Sequence, residues 1–295
     1  MYVAQRNVPV SITWHNSLST PHVLAEHIDR DLLLHPSSCY PVCGVPAIVH
    51  IHGMEVPPSS DGVPYQSIYQ NQSRTDTYSN AQMGSTHVYH DHAMGLTRLN
   101  HWSGLLGGYI IEDPELEADI QTSLDLLLVI SDTLLSTTGD LLYPDSPCSP
   151  PPVRPPRLQG NEEGETKWAP ESFGSVNLVN GVVLPFTEVP QEMTRLRFVN
   201  GANSRNFGLH LPFFSECTVI AKDMALVNKP YALTSAEEVL LFPLERVDLL
   251  CDFSQTAVDT QYNITDWSYT DENTQTFPGI MQIRVTSPAL DPEEG

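Results

Sequence analysis

Short apolar or alternating runs, none longer than a strand requires, recur along this chain between turn signals: "VPVSITW", "AIVHIHG", "STHVYH", "GGYIIED", "LDLLLVISD", "RLRFVNG", "CTVIAKD", "EVLLFPLERVDLLCDF" and "IMQIRVT". Runs of this length, rich in Val, Ile, Leu and aromatics and broken by Gly, Pro and Asn, read as strands. No stretch sustains a helical period for long. In "SVNLVNGVVLPF", Asn180-Gly181 is the pair that tolerates positive φ at both central positions of a tight hairpin. With 25 prolines and 17 glycines in 295 residues, the pattern predicts an all-β protein of one or two β-sandwiches or Greek-key barrels.

The length favours two domains. Two composition breaks bear on where they divide. "EDPELEADIQTS", Glu112 to Ser123, is a short acidic break after an apolar strand, and a new strand series starts beyond it. "YPDSPCSPPPVRPPRLQGNEEGETKWAPE", residues 143–171, is proline-rich and charged, hence a loop rather than a strand. The expected domains are therefore residues 1–114 and 120–288, with the proline-rich loop early in the second.

Lys plus Arg number 14 against 36 Asp plus Glu, a formal charge of -22, so the chain repels nucleic acid and anionic membrane surfaces. No run approaches the roughly 20 apolar residues of a membrane-spanning helix. The start "MYVAQRNVPVSITWHNSL" does not read as a signal peptide, and the sequons "NQS" at Asn71 and "NIT" at Asn263 matter only in an exported chain, so the compartment stays open. The five cysteines form an odd, scattered set rather than a disulfide framework. Only Cys39 and Cys43 are near neighbours, as a loop bridge or a metal pair.

Four of the eleven histidines fall in two His-x-His pairs, His50 and His52 in "VHIHG" and His90 and His92 in "YHDH". Residues two apart in a strand share a face, roughly 7 Å apart along the backbone, which suits a metal cluster. Ala47, Val49 and Ile51 form the opposite, core-facing side. Imidazole suits copper, zinc, iron and nickel, and no Cys-x-x-Cys accompanies the pairs, so copper and zinc lead. Four histidines exceed the needs of one catalytic zinc, which leaves a zinc hydrolase as the weakest reading. Asp91 points away from its flanking histidines and is expected to make a supporting hydrogen bond. His87, His101 and His210 are expected to be ordinary surface or rim histidines. Asp61 in "SSDG" is read either as a plain Asp-Gly turn or as a functional carboxylate.

"VHIHGMEVPPSSDG" followed by "YHDHAMGLTRLNHWSGLLGGYIIEDP" resembles the first cupredoxin domain of multicopper oxidases, in the branch of spore-coat laccases and bilirubin-oxidase-like enzymes. "ESFGSVNLVNGVVLPFTEVPQEMTRLRFVNGANSRNFGLHL" and "IAKDMALVNKPYALTSAEEVLLFPLERVDLLCDFS" resemble that branch's second cupredoxin domain. The resemblance implies two cupredoxin-like Greek-key domains and one-electron oxidation of phenolic or metal-ion substrates coupled to reduction of dioxygen to water. It implies His50 as a type 2 copper ligand, His52, His90 and His92 as type 3 ligands, and Asp61 as a proton source beside them. The family's type 1 motif, a cysteine flanked by histidines, is not found in this sequence, and neither are the four ligands that would complete the trinuclear site. A chain supplying a third cupredoxin domain is the expected partner, with a non-catalytic copper-binding or scaffold protein as the alternative. The resemblance further implies that the chain begins one strand late.

Overall fold

The computed structural model describes residues 1–33, 40–144, 171, 173–268 and 278–288. Cys39, Cys148 and nearly all of the 143–171 loop lie outside the described residues.

The all-β expectation holds. Strands before residue 113 build a four-stranded sheet in the spatial order Tyr2–Gln5, Leu106–Glu112, Ser85–Asp91, Val49–His52, together with a separate pair, Val10–His15 and Ser73–Tyr78. Tyr2–Gln5 runs parallel to Leu106–Glu112, and every other pairing in these two sheets is antiparallel. Between them sits an aromatic and aliphatic core of Ile51, Tyr78, Tyr109 and Ile111. Strands after residue 123 build an eight-stranded and a five-stranded sheet. These close over a larger core that includes Leu196, Phe198, Phe207, Phe213, Leu249 and Ile283. Alternation explains the layering: in Ser73–Tyr78, Ser73, Thr75 and Thr77 face solvent while Asp76 and Tyr78 turn inward. The Asn180-Gly181 hairpin forms as expected, with φ of 51° and 80° joining Val176–Val179 to Val182–Val183.

Among the described residues one short α-helix, Thr97–Trp102, interrupts the β pattern and buries Leu99, Asn100, His101 and Trp102. Six residues are too few for periodicity to mark it in the sequence. Its Asn100 accepts from His22 Nε2 at 3.0 Å and donates to the carbonyl of Pro46, so polar side chains hold the helix against the first sheet.

The two sets of sheets pack through Val88, Val129 and Val199, flanked by Leu106, Leu127 and Leu244. Beside this apolar contact lies a buried ionic one. Asp248 Oδ2 accepts from Arg195 Nη2 at 2.7 Å and Arg197 Nη1 at 3.0 Å, and both its oxygens accept from Thr86 Oγ1. Arg246 Nε donates to the carbonyl of Thr86 at 2.8 Å. Since Thr86 belongs to the same strand as His90, this network fixes the histidine strand from behind.

The cysteine expectation needs correcting. Cys217 and Cys251 form a disulfide across directly paired strands, with Cα atoms 4.1 Å apart. Thirty-four residues separate them in sequence, and only strand pairing makes them neighbours. Cys43 is also disulfide-bonded and so is not a metal thiolate.

Candidate metal centre

Antiparallel register, which the sequence does not disclose, brings the two His-x-His pairs together. His50 stands directly opposite His90, and His52 opposite Val88. His92 lies one residue past its strand, where its N–H donates to the carbonyl of Ile48. The rings therefore share one face: His50 is 6.0 Å from His52, 5.4 Å from His90 and 4.8 Å from His92, centroid to centroid. His50, His52 and His90 each offer a nitrogen within 4.8 Å of the others, and His92 stacks on His50 beside them.

Backbone carbonyls set the tautomers. His50 Nδ1 lies 2.7 Å from the carbonyl oxygen of Asp61, His92 Nδ1 3.2 Å from that of Gly62, and His90 Nδ1 2.8 Å from that of Asp91. A carbonyl only accepts, so each Nδ1 carries the proton and each Nε2 keeps its lone pair. His52 has no ring hydrogen bond among the described residues. His90 Nε2 is buried without a partner. A buried acceptor left unpaired is costly unless a ligand fills it.

Electrostatics favour neutral rings. Burial pushes His90 down to about 3, assisted by His101, His50 and His52. Burial also lowers His52 and His92, with Arg246 adding repulsion at His52 and His50 at His92. Imidazoles whose ligand nitrogens lie within 4.8 Å of one another match the donor chemistry of copper or zinc, so the residues fit such an ion.

Asp61 also arrives at the cluster, with Oδ1 3.2 Å from His50 Nδ1. Asp61 sits in a bend just past the turn at residues 58–60, with its carboxylate beside the His50 ring. Gly62 has φ of 69°, and a Cβ there would lie 1.9 Å from the carbonyl oxygen of Val49. Only glycine lets the loop approach closely enough for its carbonyls to reach the rings.

Asp91 does what its outward direction suggests. Buried behind the cluster, it accepts from the N–H of Ile48 at 2.9 Å and of Ala93 at 3.0 Å, and burial lifts its carboxyl to about 6.

Two histidines assigned to the surface are interior. His87 has no exposed surface: its Nδ1 donates to the carbonyl of His52 at 3.2 Å, and its Nε2 faces Ser85 and Gln82. His101, 8% exposed, donates from Nε2 to the carbonyl of Gly201 at 3.0 Å. Burial lowers both to about 4. Tyr89, two residues on and so on the same face of "STHVYH", could have flagged His87, and the apolar flanks Leu99 and Trp102 could have flagged His101. His210 is half-exposed, 3.6 Å from Glu237, as a rim histidine should be.

Residues 44–116, which contain all four clustered histidines, match the sequence model of the multicopper oxidase family. The chain is 34% identical to the laccase of Bacillus subtilis strain 168 over 306 aligned residues, covering 98% of this chain and 56% of that protein. It is 36% identical to multicopper oxidase LPR1 homolog 3 of Oryza sativa subsp. japonica, covering 85% of this chain and 46% of that one. The solved structure of the McoA multicopper oxidase 2F4 variant from Aquifex aeolicus shares the cupredoxin-like fold, with a TM-score of 0.72 at 22% identity over 98% of this chain and 55% of that one. The chain thus spans about half the length of the relatives it matches. Among the described residues, no helix is long and apolar enough to cross a membrane.

Proposed function

Because this chain belongs to the multicopper oxidase family, we propose that it is the copper-binding part of a laccase-like oxidase, one that takes single electrons from phenolic or metal-ion substrates and reduces dioxygen to water. The observation that carries this reading is the set of four imidazoles on one face of facing strands, with the buried Nε2 of His90 left without a protein partner. Copper bound there would supply the one-electron redox chemistry and the site of dioxygen reduction.

The chain's own residues prepare that site. His50 is assigned to the type 2 copper and His52, His90 and His92 to the type 3 pair. The carbonyls of Asp61, Asp91 and Gly62 hold three of these rings with Nε2 outward, which reduces the ordering that binding requires. Asp61, partly solvent-accessible and 3.2 Å from His50, is placed to take a proton from water on a carboxylate oxygen and pass it toward the cluster. Residues 1–114 form the metal-bearing domain in this reading, and residues 120–288 a second cupredoxin-like domain that supports it. The remaining ligands and the type 1 site are assigned to a partner segment or chain carrying a third cupredoxin domain.

Metal analysis after loading with copper and zinc together tests the first step: copper is retained, and the double variant His50→Ala, His52→Ala loses it. Retention by that variant would refute the ligand assignment. Oxygen uptake with a phenol, measured after mixing with a third cupredoxin domain, tests the second step. Stable copper without uptake in any mixture would favour a copper-binding or scaffold protein instead.

A further inference from the structure

His101 has no part in that scheme, yet it makes the only near-parallel ring contact of His90 among the described residues. The planes of His101 and His90 are 14° apart with centroids 5.6 Å apart, whereas His50, His52 and His92 meet His90 at 74°, 40° and 71°. We propose that His101 is a positioning residue that holds the plane of the His90 ring and ties it, through Gly201, to the second set of sheets. The proposal rests on the reading of His90 as a copper ligand.

His90 has one ring hydrogen bond, from Nδ1 to the carbonyl of the next residue. One such bond fixes a nitrogen but leaves the ring free to pivot about it, and a flat face alongside removes that freedom. His101 can serve as the face because it is itself held. It sits in the buried helix Thr97–Trp102, and its Nε2–H reaches the carbonyl of Gly201. Gly201 is fixed in turn: its N–H donates to the carbonyl of Ile130 at 2.6 Å, and Leu106 and Val129 occupy the space that a Cβ there would need. Nearby, Asn203 Nδ2 donates to the carbonyl of Arg98 on the same helix. A continuous path of contacts therefore runs from His90 through His101 to the strand containing Ile130. Histidine suits the position because it offers a planar face on one side and an N–H donor on the other. Phenylalanine supplies only the first, and glutamine only the second.

That division gives the test, made on the full chain with H101A, H101F and H101Q. Copper(II) affinity, the copper electron paramagnetic resonance spectrum and the melting temperature are measured. In the metal-free protein, carbon-13 relaxation reports the order of the His90 ring. H101Q and H101A should bind copper about tenfold more weakly, with an altered spectrum. H101F should stay within about threefold of the parent affinity and keep its spectrum, while melting at a lower temperature for want of the Gly201 hydrogen bond. H101A with the parent affinity and spectrum would overturn the proposal, and so would equal copper losses in all three variants, which mark a merely structural role. If H101A does not fold, H101Q decides. If the parent itself takes up no copper, the copper reading fails by itself and the ring order decides this proposal: His90 mobile in H101Q and H101A but ordered in H101F supports it, and His90 ordered in all of them refutes it.

Discussion

The Nδ1–H of His50 donates to the main-chain carbonyl of Asp61 at 2.7 Å, and the carboxylate of the same residue stands 3.2 Å from that nitrogen. One loop residue thus sets the tautomer of a clustered imidazole with its backbone and places an acid beside it with its side chain. The next residue, Gly62, offers its carbonyl to His92. The loop orients two of the four rings while touching neither Nε2.

Gly62→Ala should therefore damage the cluster without replacing any imidazole. The new Cβ would meet the carbonyl oxygen of Val49, and φ of 69° disfavours alanine as well. The loop must retreat, releasing His50 and His92. Copper affinity, measured by competition with a chelator, should fall about 10- to 100-fold, with a stability loss of about 1 kcal/mol or more. An unchanged affinity would mean that the rings are held by their strands alone.

Period-two spacing made the four histidines legible, because a strand leaves few choices for the side on which residues two apart appear. What spacing cannot give is register: that His50 faces His90 depends on how Val49–His52 aligns with Ser85–Asp91. The Cys217–Cys251 bond was hidden for the same reason, since its partners meet only through non-local strand pairing. His87 and His101 were misread because a polar residue in an apolar setting looks like a rim residue until its hydrogen-bond partners are known. Those partners are the carbonyls of His52 and Gly201.

The metal-free chain should lose stability as pH falls from about 6.5 toward 4. His87 and His101 are lowered to about 4 and His90 to about 3, from an unfolded value near 6.5. Across that window the unfolded chain binds protons that the native state refuses, so acid favours unfolding. Asp91 acts in the opposite sense. Raised to about 6, it binds a proton in the native state that the unfolded chain has already lost. Burial also lowers His22, His52 and His92 and raises Asp132, so six imidazoles outweigh two carboxyls and urea midpoints should decline below pH 6.5. Midpoints that rise on acidification would contradict the buried neutral state of these rings.

Replacing both Cys217 and Cys251 with alanine should destabilise the chain by about 2–4 kcal/mol, chiefly by freeing a long loop in the unfolded state. Both side chains are buried in the second core and neither belongs to the histidine cluster, so copper affinity should stay near the parent value. Denaturation of parent and variant with and without reductant makes the comparison: reductant should shift the parent more than the variant, which keeps the Cys43 disulfide. A loss below 1 kcal/mol would show that strand pairing alone fixes these positions.

Asp248 tests what holds the histidine strand against the second set of sheets. It is 1% exposed and receives two guanidinium groups and the hydroxyl of Thr86. Arg195 and Arg197 would keep Glu117 and Asp125 as partners in an Asp248→Ala chain, but both cations would face a space without their shared carboxylate. Removing one partner from a buried ionic group costs about 3–5 kcal/mol. Thr86→Val removes only a hydroxyl from the same network and should cost about 1 kcal/mol. Because Thr86 shares its strand with His90, the two losses should be coupled, and the double variant should be less destabilised than the sum of the singles. Additive losses would mean that the apolar contact of Val88, Val129 and Val199 carries the packing by itself.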